Sequence, residues 1–267
     1  MAPILQSMRG LLLMKFIVIA LLALLAGPSL AQEKECAVVL IHGKWGNPQY
    51  MVFFGNRLKP TCDSKSIEMP WSRRRNYDAP YSTALAEIKE QVETFRQQGY
   101  KRVVLTGHSF GANAALAYMK TEGNVDGIVL LAPGHTPSYM YQRGIGRDAV
   151  DKAREFVSAG KSDETLSMDD FNQGNRQSIR MKSSVLLSYF DPNGLGNMAL
   201  SSAEFKKPVP VLWVVGTRDP LYPAGTGYGY DKTPLHEASK YLVVEADHAN
   251  TPDASAVQVV EWLKALP

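Results

Sequence analysis

Ser109, Asp219 and His248 have the types and the placement to make an activated nucleophile. Ser109 is the centre of Gly107-His108-Ser109-Phe110-Gly111. The short β-branched, apolar run Arg102 to Thr106 precedes it. The Ala-rich stretch Ala112 to Met119, with strong helix propensity, follows. A G-x-S-x-G between a strand and a helix is a sharp turn that holds the serine Oγ at the carboxyl end of the strand, beside the free N–H groups of a helix N-terminus. Each glycine has a steric reason, because a side chain at either flank would meet the neighbouring strand or helix. The bland counterpart is an ordinary strand-to-helix turn with a capping serine.

A serine hydroxyl is a poor nucleophile until a base takes its proton. The expected base is a histidine on a later loop, oriented by a carboxylate. Gly216-Thr217-Arg218-Asp219-Pro220 directly follows the apolar run Val209 to Val215, and Asp247-His248-Ala249-Asn250 follows Tyr241 to Glu245. Both therefore sit at the carboxyl end of a predicted strand. Asp191 and Asp247 are rival acids: Asp191 comes before the strand that should carry the acid, and Asp247 adjoins the histidine, where its side chain would point away. His42 is expected to hydrogen-bond within its own loop and His108 to orient the serine turn. His135 and His236, in polar loop sequence, are expected to be solvated.

Developing negative charge on a substrate oxygen needs two backbone N–H groups. Phe110, next after the serine, supplies one. The loop His42-Gly43-Lys44-Trp45-Gly46 supplies the other, with Lys44 as the first candidate and Trp45 the second. Trp45 and Arg73 are the candidates for contact with substrate. Arg73-Arg74-Arg75 follows the short strand Ser66 to Met69, where it could grip an anionic group or be simply solvated. The loop Gly225 to Tyr230 either lines the pocket mouth or is only surface. No metal-ligand spacing, phosphate loop or dinucleotide fingerprint is convincing, so neither metal nor cofactor is expected.

These side chains need a scaffold that presents strand ends on one side. Strand-like runs at Ala37 to Ile41, Ser66 to Met69, Arg102 to Thr106, Asp126 to Leu131, Val209 to Val215 and Tyr241 to Glu245 alternate with helical patterns. Those helices are Met51 to Leu58, Tyr81 to Gln98, the Ala-rich stretch, and Pro252 to Leu266 with Thr251 as its N-cap. Continuous apolar strands alternating with helices predict an α/β fold: a mainly parallel sheet of about six strands, flanked by helices. Residues 134–207 break the alternation. Two helical patterns there, Arg147 to Ala159 and Arg176 to Tyr189, predict a helical cap or lid over the site, or packing decoration on the sheet edge.

At this point the chain resembles the α/β-hydrolase superfamily. The matching motifs are His42-Gly43, Gly107 to Gly111, Gly216-x-x-Asp219-Pro220 and Asp247-His248, and they span Ala37 to Pro267. The order Ser109, Asp219, His248 is that family's order. The resemblance implies the fold, a Ser-His-Asp hydrolase mechanism and a cap between the sixth and seventh strands of the family. Ala37 to Ile41 matches the family's third strand, so the first two are missing. The family is chemically diverse, and the match does not identify a substrate.

The first 31 residues read as an export signal: Arg9, the apolar stretch Leu11 to Ala26, then Ser29-Leu30-Ala31 at a cleavage point. Met14 is an alternative start, and an uncleaved anchor is the alternative to cleavage. The remaining residues 32–267 form one domain. The whole chain carries a net charge of +3, and Arg9 and Lys15 leave with the signal. A nearly neutral chain gives no argument for nucleic acid or an anionic membrane surface. Cys36 and Cys62 are the only cysteines, and in an exported protein they are expected to form a structural disulfide, two free buried thiols being the alternative. The expected activity is hydrolysis of a small-molecule or lipid-like carboxylic ester by an exported serine hydrolase. A thioesterase, amidase or acyltransferase would use the same residues, and a binding protein could keep the fold without catalysis.

Overall fold

A computed structural model describes residues 34–267. The expected export signal, its cleavage point and the anchor alternative lie outside the described residues. Six strands form one sheet: β1 (Lys34–Ile41), β2 (Asp63–Ile67), β3 (Tyr100–His108), β4 (Gly127–Leu131), β7 (Val211–Gly216) and β8 (Lys240–Val244). Their order is β2-β1-β3-β4-β7-β8, and every pair is parallel. The α/β fold class expected from the alternating pattern is therefore the observed one.

Both faces of the sheet are covered, which is why its central strands are continuously apolar. Along β1, Ala37, Val39 and Ile41 face one core cluster while Cys36, Val38 and Leu40 face the other. Helices α1 (Pro48–Leu58) and α8 (Thr251–Ala265) cover the second face with Met51, Phe54, Leu58, Val259 and Trp262. Helices α2 (Tyr81–Gln97) and α3 (Phe110–Thr121) cover the first. The N-cap position of α8 is Asn250 rather than Thr251, whose Oγ1 donates to the Asp247 carbonyl at 2.7 Å. The edge strands β2 and β8 are only partly buried, as edges facing water should be.

The insertion between β4 and β7 is not purely helical. It contains α4 (Pro137–Gln142), α5 (Arg147–Ser158), a hairpin of β5 (Thr165–Asn172) and β6 (Asn175–Lys182), then α6 (Ser183–Phe190) and α7 (Met198–Ala203). The expected helix Arg176 to Tyr189 thus divides into a strand and a shorter helix. Ile179 and Met181 are buried between exposed Ser178, Arg180 and Lys182, a period of two that fits a half-buried strand. Gln173 and Gly174 at the tip both have positive φ, 50° and 78°, as a tight two-residue hairpin turn requires. The insertion packs directly on the core: Met168, Ile179, Leu186, Tyr189 and Phe190 join the cluster built from α2, α3 and β3.

Cys36 on β1 and Cys62, just before β2, form a disulfide across 26 residues. It closes the β1–α1–β2 crossover at the edge of the sheet. Closing a loop of that length removes unfolded-state entropy worth about 3 kcal/mol. Replacing both cysteines by alanine should lower unfolding stability by about that amount, read as a fall in the urea midpoint. Wild type with reductant should match the variant, and an unchanged midpoint in both would contradict the assignment.

Candidate active site

The serine turn is held in a conformation that residues with side chains rarely adopt: Ser109 has φ 57° and ψ −117°. Backbone packing at its flanks is the cause. A Cβ on Gly107 would lie 2.1 Å from the Gly111 carbonyl carbon, and a Cβ on Gly111 would lie 2.2 Å from the Ile41 carbonyl oxygen. Helix α3 is thereby pressed against the ends of β3 and β1. Ser109 N–H donates to Leu131 O at 3.0 Å, and Ser109 O accepts from Gly134 and Ala112 N–H at 3.0 Å each.

Asp219 and His248 arrive from the ends of β7 and β8. Asp219 is 3% exposed and its Oδ2 lies 2.7 Å from His248 Nδ1, while its Oδ1 accepts from Leu221 N–H at 2.8 Å. A carboxylate only accepts, so Nδ1 carries the imidazole proton. The other nitrogen, Nε2, is buried without a protein partner. Gly134 has both the serine and the imidazole beside it: a Cβ there would lie 2.8 Å from Ser109 Oγ and 3.4 Å from His248 Cε1. The two loops are stitched together by Thr217 N–H to Val244 O at 2.9 Å and Arg218 N–H to Ala246 O at 3.0 Å. The rival acids are occupied elsewhere. Asp191 pairs with Arg154 at 3.0 Å, and the carboxylate of half-buried Asp247 holds Asn250.

The loop after β1 lies against the serine, since a Cβ on Gly43 would meet Ser109 Cβ at 2.9 Å. His42 is fully buried and works within this loop, as expected. Its Nε2 accepts from Met69 N–H at 3.1 Å, so Nδ1 donates to Gly43 O at 2.8 Å. Of the two candidate donors here, Trp45 N–H is already given to Trp71 O at 2.9 Å. Lys44 N–H and Phe110 N–H give no bond to a backbone carbonyl among the described residues. His108 does more than orient the serine turn: its Nε2 donates to His248 O at 2.9 Å, tying the turn to the histidine loop. Tyr50 OH donates to the next carbonyl, Ala249 O.

His135 is a correction. It is 8% exposed rather than solvated, because its ring stacks on Phe110 at 3.8 Å and its Nε2 donates to Tyr189 O at 2.7 Å. Trp71 stacks on the other face of Phe110 at 4.4 Å. Asn113, inside the apolar helix α3, locks this layer: its Nδ2 donates to His135 O and Gly196 O, and its Oδ1 accepts from Tyr81 OH. His236 is half-buried, its Nδ1 accepting from Ala238 N–H.

A cavity of about 200 Å³ opens at Ser109, lined by Gly43, Lys44, Tyr50, Asn172, Gln173 and His248 among others. Neither Trp45 nor Arg73 lines it. Trp45 is buried at a positive φ of 55°, and Arg73 is exposed. The neighbouring arginines are consumed locally, Arg74 by Glu68 and Arg75 by Asp78 and Glu87. Residues 225–230 form part of a series of short 3₁₀ turns away from this cavity. Among the described residues no group of three His, Cys, Asp or Glu is placed to hold a metal ion.

The family model for the alpha/beta hydrolase family matches residues 38–262. The chain belongs to that family. No curated protein sequence matches it. Solved structures similar in fold include the monoacylglycerol lipase of Paleococcus ferrophilus, 18% identical with a TM-score of 0.60, covering 88% of this chain and 97% of that one. Est1E from Butyrivibrio proteoclasticus is 17% identical with a TM-score of 0.57, covering 87% of this chain and 86% of that one. An extracellular alpha/beta-hydrolase from a Paenibacillus species is 15% identical with a TM-score of 0.51, covering 86% and 98%. Within this alpha/beta hydrolase, Gly134, Tyr50 and Asn113 are site residues that sequence reasoning missed. Only Asn113 carried a signal, as the one amide in a helix stretch otherwise buried and non-polar.

Three imidazoles around the site are held neutral. Burial pushes His108 down to about 3, lowers His42, and takes His135 well below its ordinary value, with the Lys44 charge adding to the last. The unfolded chain protonates these groups below about pH 6.5, while the folded chain does not. The unfolded state then binds more protons, so stability falls as pH drops from about 6.5 towards 3. The urea midpoint should therefore decline between about pH 7 and 5, before most carboxylates titrate. His108→Gln should make that decline shallower. A flat profile in wild type would contradict the buried neutral imidazoles.

Proposed function

We propose that this alpha/beta hydrolase is an exported serine hydrolase that cleaves a carboxylic ester through an acyl-enzyme. The observation that carries the reading is the strained Ser109, held beside an imidazole whose Nδ1 is bound to the buried Asp219 at 2.7 Å. His248 Nε2 takes the Ser109 proton as Oγ attacks the substrate carbonyl. The oxyanion is received by Lys44 N–H and Phe110 N–H. Collapse of the tetrahedral intermediate breaks the ester C–O bond, and the leaving alkoxide takes the proton from His248. Water then repeats the sequence, giving its proton to His248 and its oxygen to the acyl carbon, and Ser109 recovers its proton. Asp219 fixes the imidazole tautomer and stabilises its charged form.

The Cys36–Cys62 disulfide supports export, since such bonds persist in oxidising compartments. No helix among the described residues is long and apolar enough to cross a membrane. The site cavity of about 200 Å³ is smaller than the ~300–1,000 Å³ of drug-sized ligand sites, so we assign a short acyl group to it.

Hydrolysis of p-nitrophenyl acetate and butyrate should exceed that of the decanoate. Ser109→Ala should remove turnover, and Asp219→Asn should lower kcat by about 10⁴. Equal turnover by wild type and Ser109→Ala across the ester panel would sink the reading. Turnover of matched thioesters or amides in preference to esters would reassign the substrate class while keeping the residues.

A further inference from the structure

The β5–β6 hairpin of the insertion lines the cavity at Ser109 with Asn172 and Gln173, and its contacts with the loop after β1 converge on Lys44. Lys44 Nζ lies 2.5 Å from Asp170 Oδ1 and donates to Phe171 O at 3.2 Å. Lys44 O accepts from Asn172 Nδ2 at 3.0 Å. The Lys44 and Asp170 side chains are 5% and 0% exposed, so this is a buried ion pair between residues 126 apart in sequence. Asp170 is fully satisfied: Oδ1 also accepts from Phe171 N–H at 2.9 Å, and Oδ2 accepts from Tyr77 OH at 2.9 Å.

A buried ion pair is a weak source of stability, because desolvation offsets most of the attraction. What it provides is a fixed position. The peptide between Gly43 and Lys44 is aimed by two donors on its carbonyl, His42 Nδ1–H at 2.8 Å and Gly46 N–H at 3.1 Å. Its N–H, on the opposite side of the planar group, is the candidate oxyanion donor. The next peptide is held at both ends, with Lys44 O on Asn172 and Trp45 N–H on Trp71 O. The side chain is held by Asp170. Loosening the hairpin contacts would free Lys44 to turn, and the N–H with it.

We infer that the insertion hairpin is a positioning device for the oxyanion donor: Asp170 and Asn172 set the rate of the chemical step by fixing the Lys44 backbone. The inference rests on the serine-hydrolase reading above. Asp170 and Asn172 are positioning residues acting through Lys44, and the hairpin is a fixed part of the site rather than a lid that swings over it.

The test compares wild type, Asn172→Ala, Asp170→Asn and the double variant Lys44→Met/Asp170→Asn on p-nitrophenyl butyrate. A trifluoromethyl ketone serves as a mimic of the tetrahedral intermediate, and thermal unfolding is followed for each protein. Removal of one oxyanion donor lowers kcat by about 10²–10³, so its misplacement should cost about tenfold or more. Expected is a fall in kcat with KM nearly unchanged, matched by an equal weakening of ketone binding. Asp170→Asn leaves a lone buried ammonium and is expected to melt early. The double variant has no buried charge there, so it should recover the wild-type melting temperature while kcat stays low. A purely structural role predicts recovery of kcat together with stability, and that outcome overturns the inference, as does wild-type kcat in folded Asn172→Ala. A wild type without Ser109-dependent turnover is a different failure, since it removes the hydrolase reading and the inference with it.

Discussion

The site depends on one close approach, the N-terminus of helix α3 pressed against the backbone of two parallel strands. Gly111 touches the Ile41 carbonyl and Gly107 touches Gly111, at separations no side chain could share. That contact forces Ser109 into its positive φ. Phe110 precedes Gly111 on α3, and Lys44 follows Ile41 by three residues, so the contact brings the two candidate N–H groups to the same end of the sheet. The strand order then brings the loops of β7 and β8 to the same side of the sheet. Parallel strands with one carboxyl-terminal edge make this convergence possible.

Around this contact, the polar groups identified at the site are neutral, paired, or both. His42 and His108 lose their charge to burial and act as hydrogen-bonding joints, one within the β1 loop and one between the serine turn and the histidine loop. His135 stacks under Phe110 and links it to α6 through Tyr189 O. Lys44 is paired with Asp170. Such a network is specific because any buried polar atom left unpaired would be destabilising by roughly 1–3 kcal/mol. His248 Nε2 is one of the few exceptions, and it is the atom that takes the Ser109 proton in the proposed chemistry.

The parallel sheet and the placement of Ser109, Asp219 and His248 at strand ends were legible because each depends on local pattern. Apolar runs gave the strands, and the residues after each run gave the loop ends. The insertion was harder to read. Leu166, Met168 and Asp170 alternate inward along β5, but the last is a carboxylate, so the apolar rhythm breaks where the ion pair forms. Ile179 and Met181 alternate as a strand, then Val185, Leu186 and Tyr189 follow a helical spacing, and the two merged into one expected helix. His135 looked solvated because its partners, Phe110 and Tyr189, are distant in sequence. Lys44 and Asp170 could not be paired from sequence for the same reason. What the sequence hides here is long-range polar pairing, which leaves no periodic trace.

The central claim is that the strained serine at the end of β3 is the nucleophile. Its most direct measurement is covalent labelling of the folded protein with a fluorophosphonate, followed by intact mass and peptide mapping. The account predicts one adduct per chain, on the peptide containing Ser109, and no adduct after thermal unfolding. No adduct on the folded protein, or an adduct confined to another residue, would contradict it.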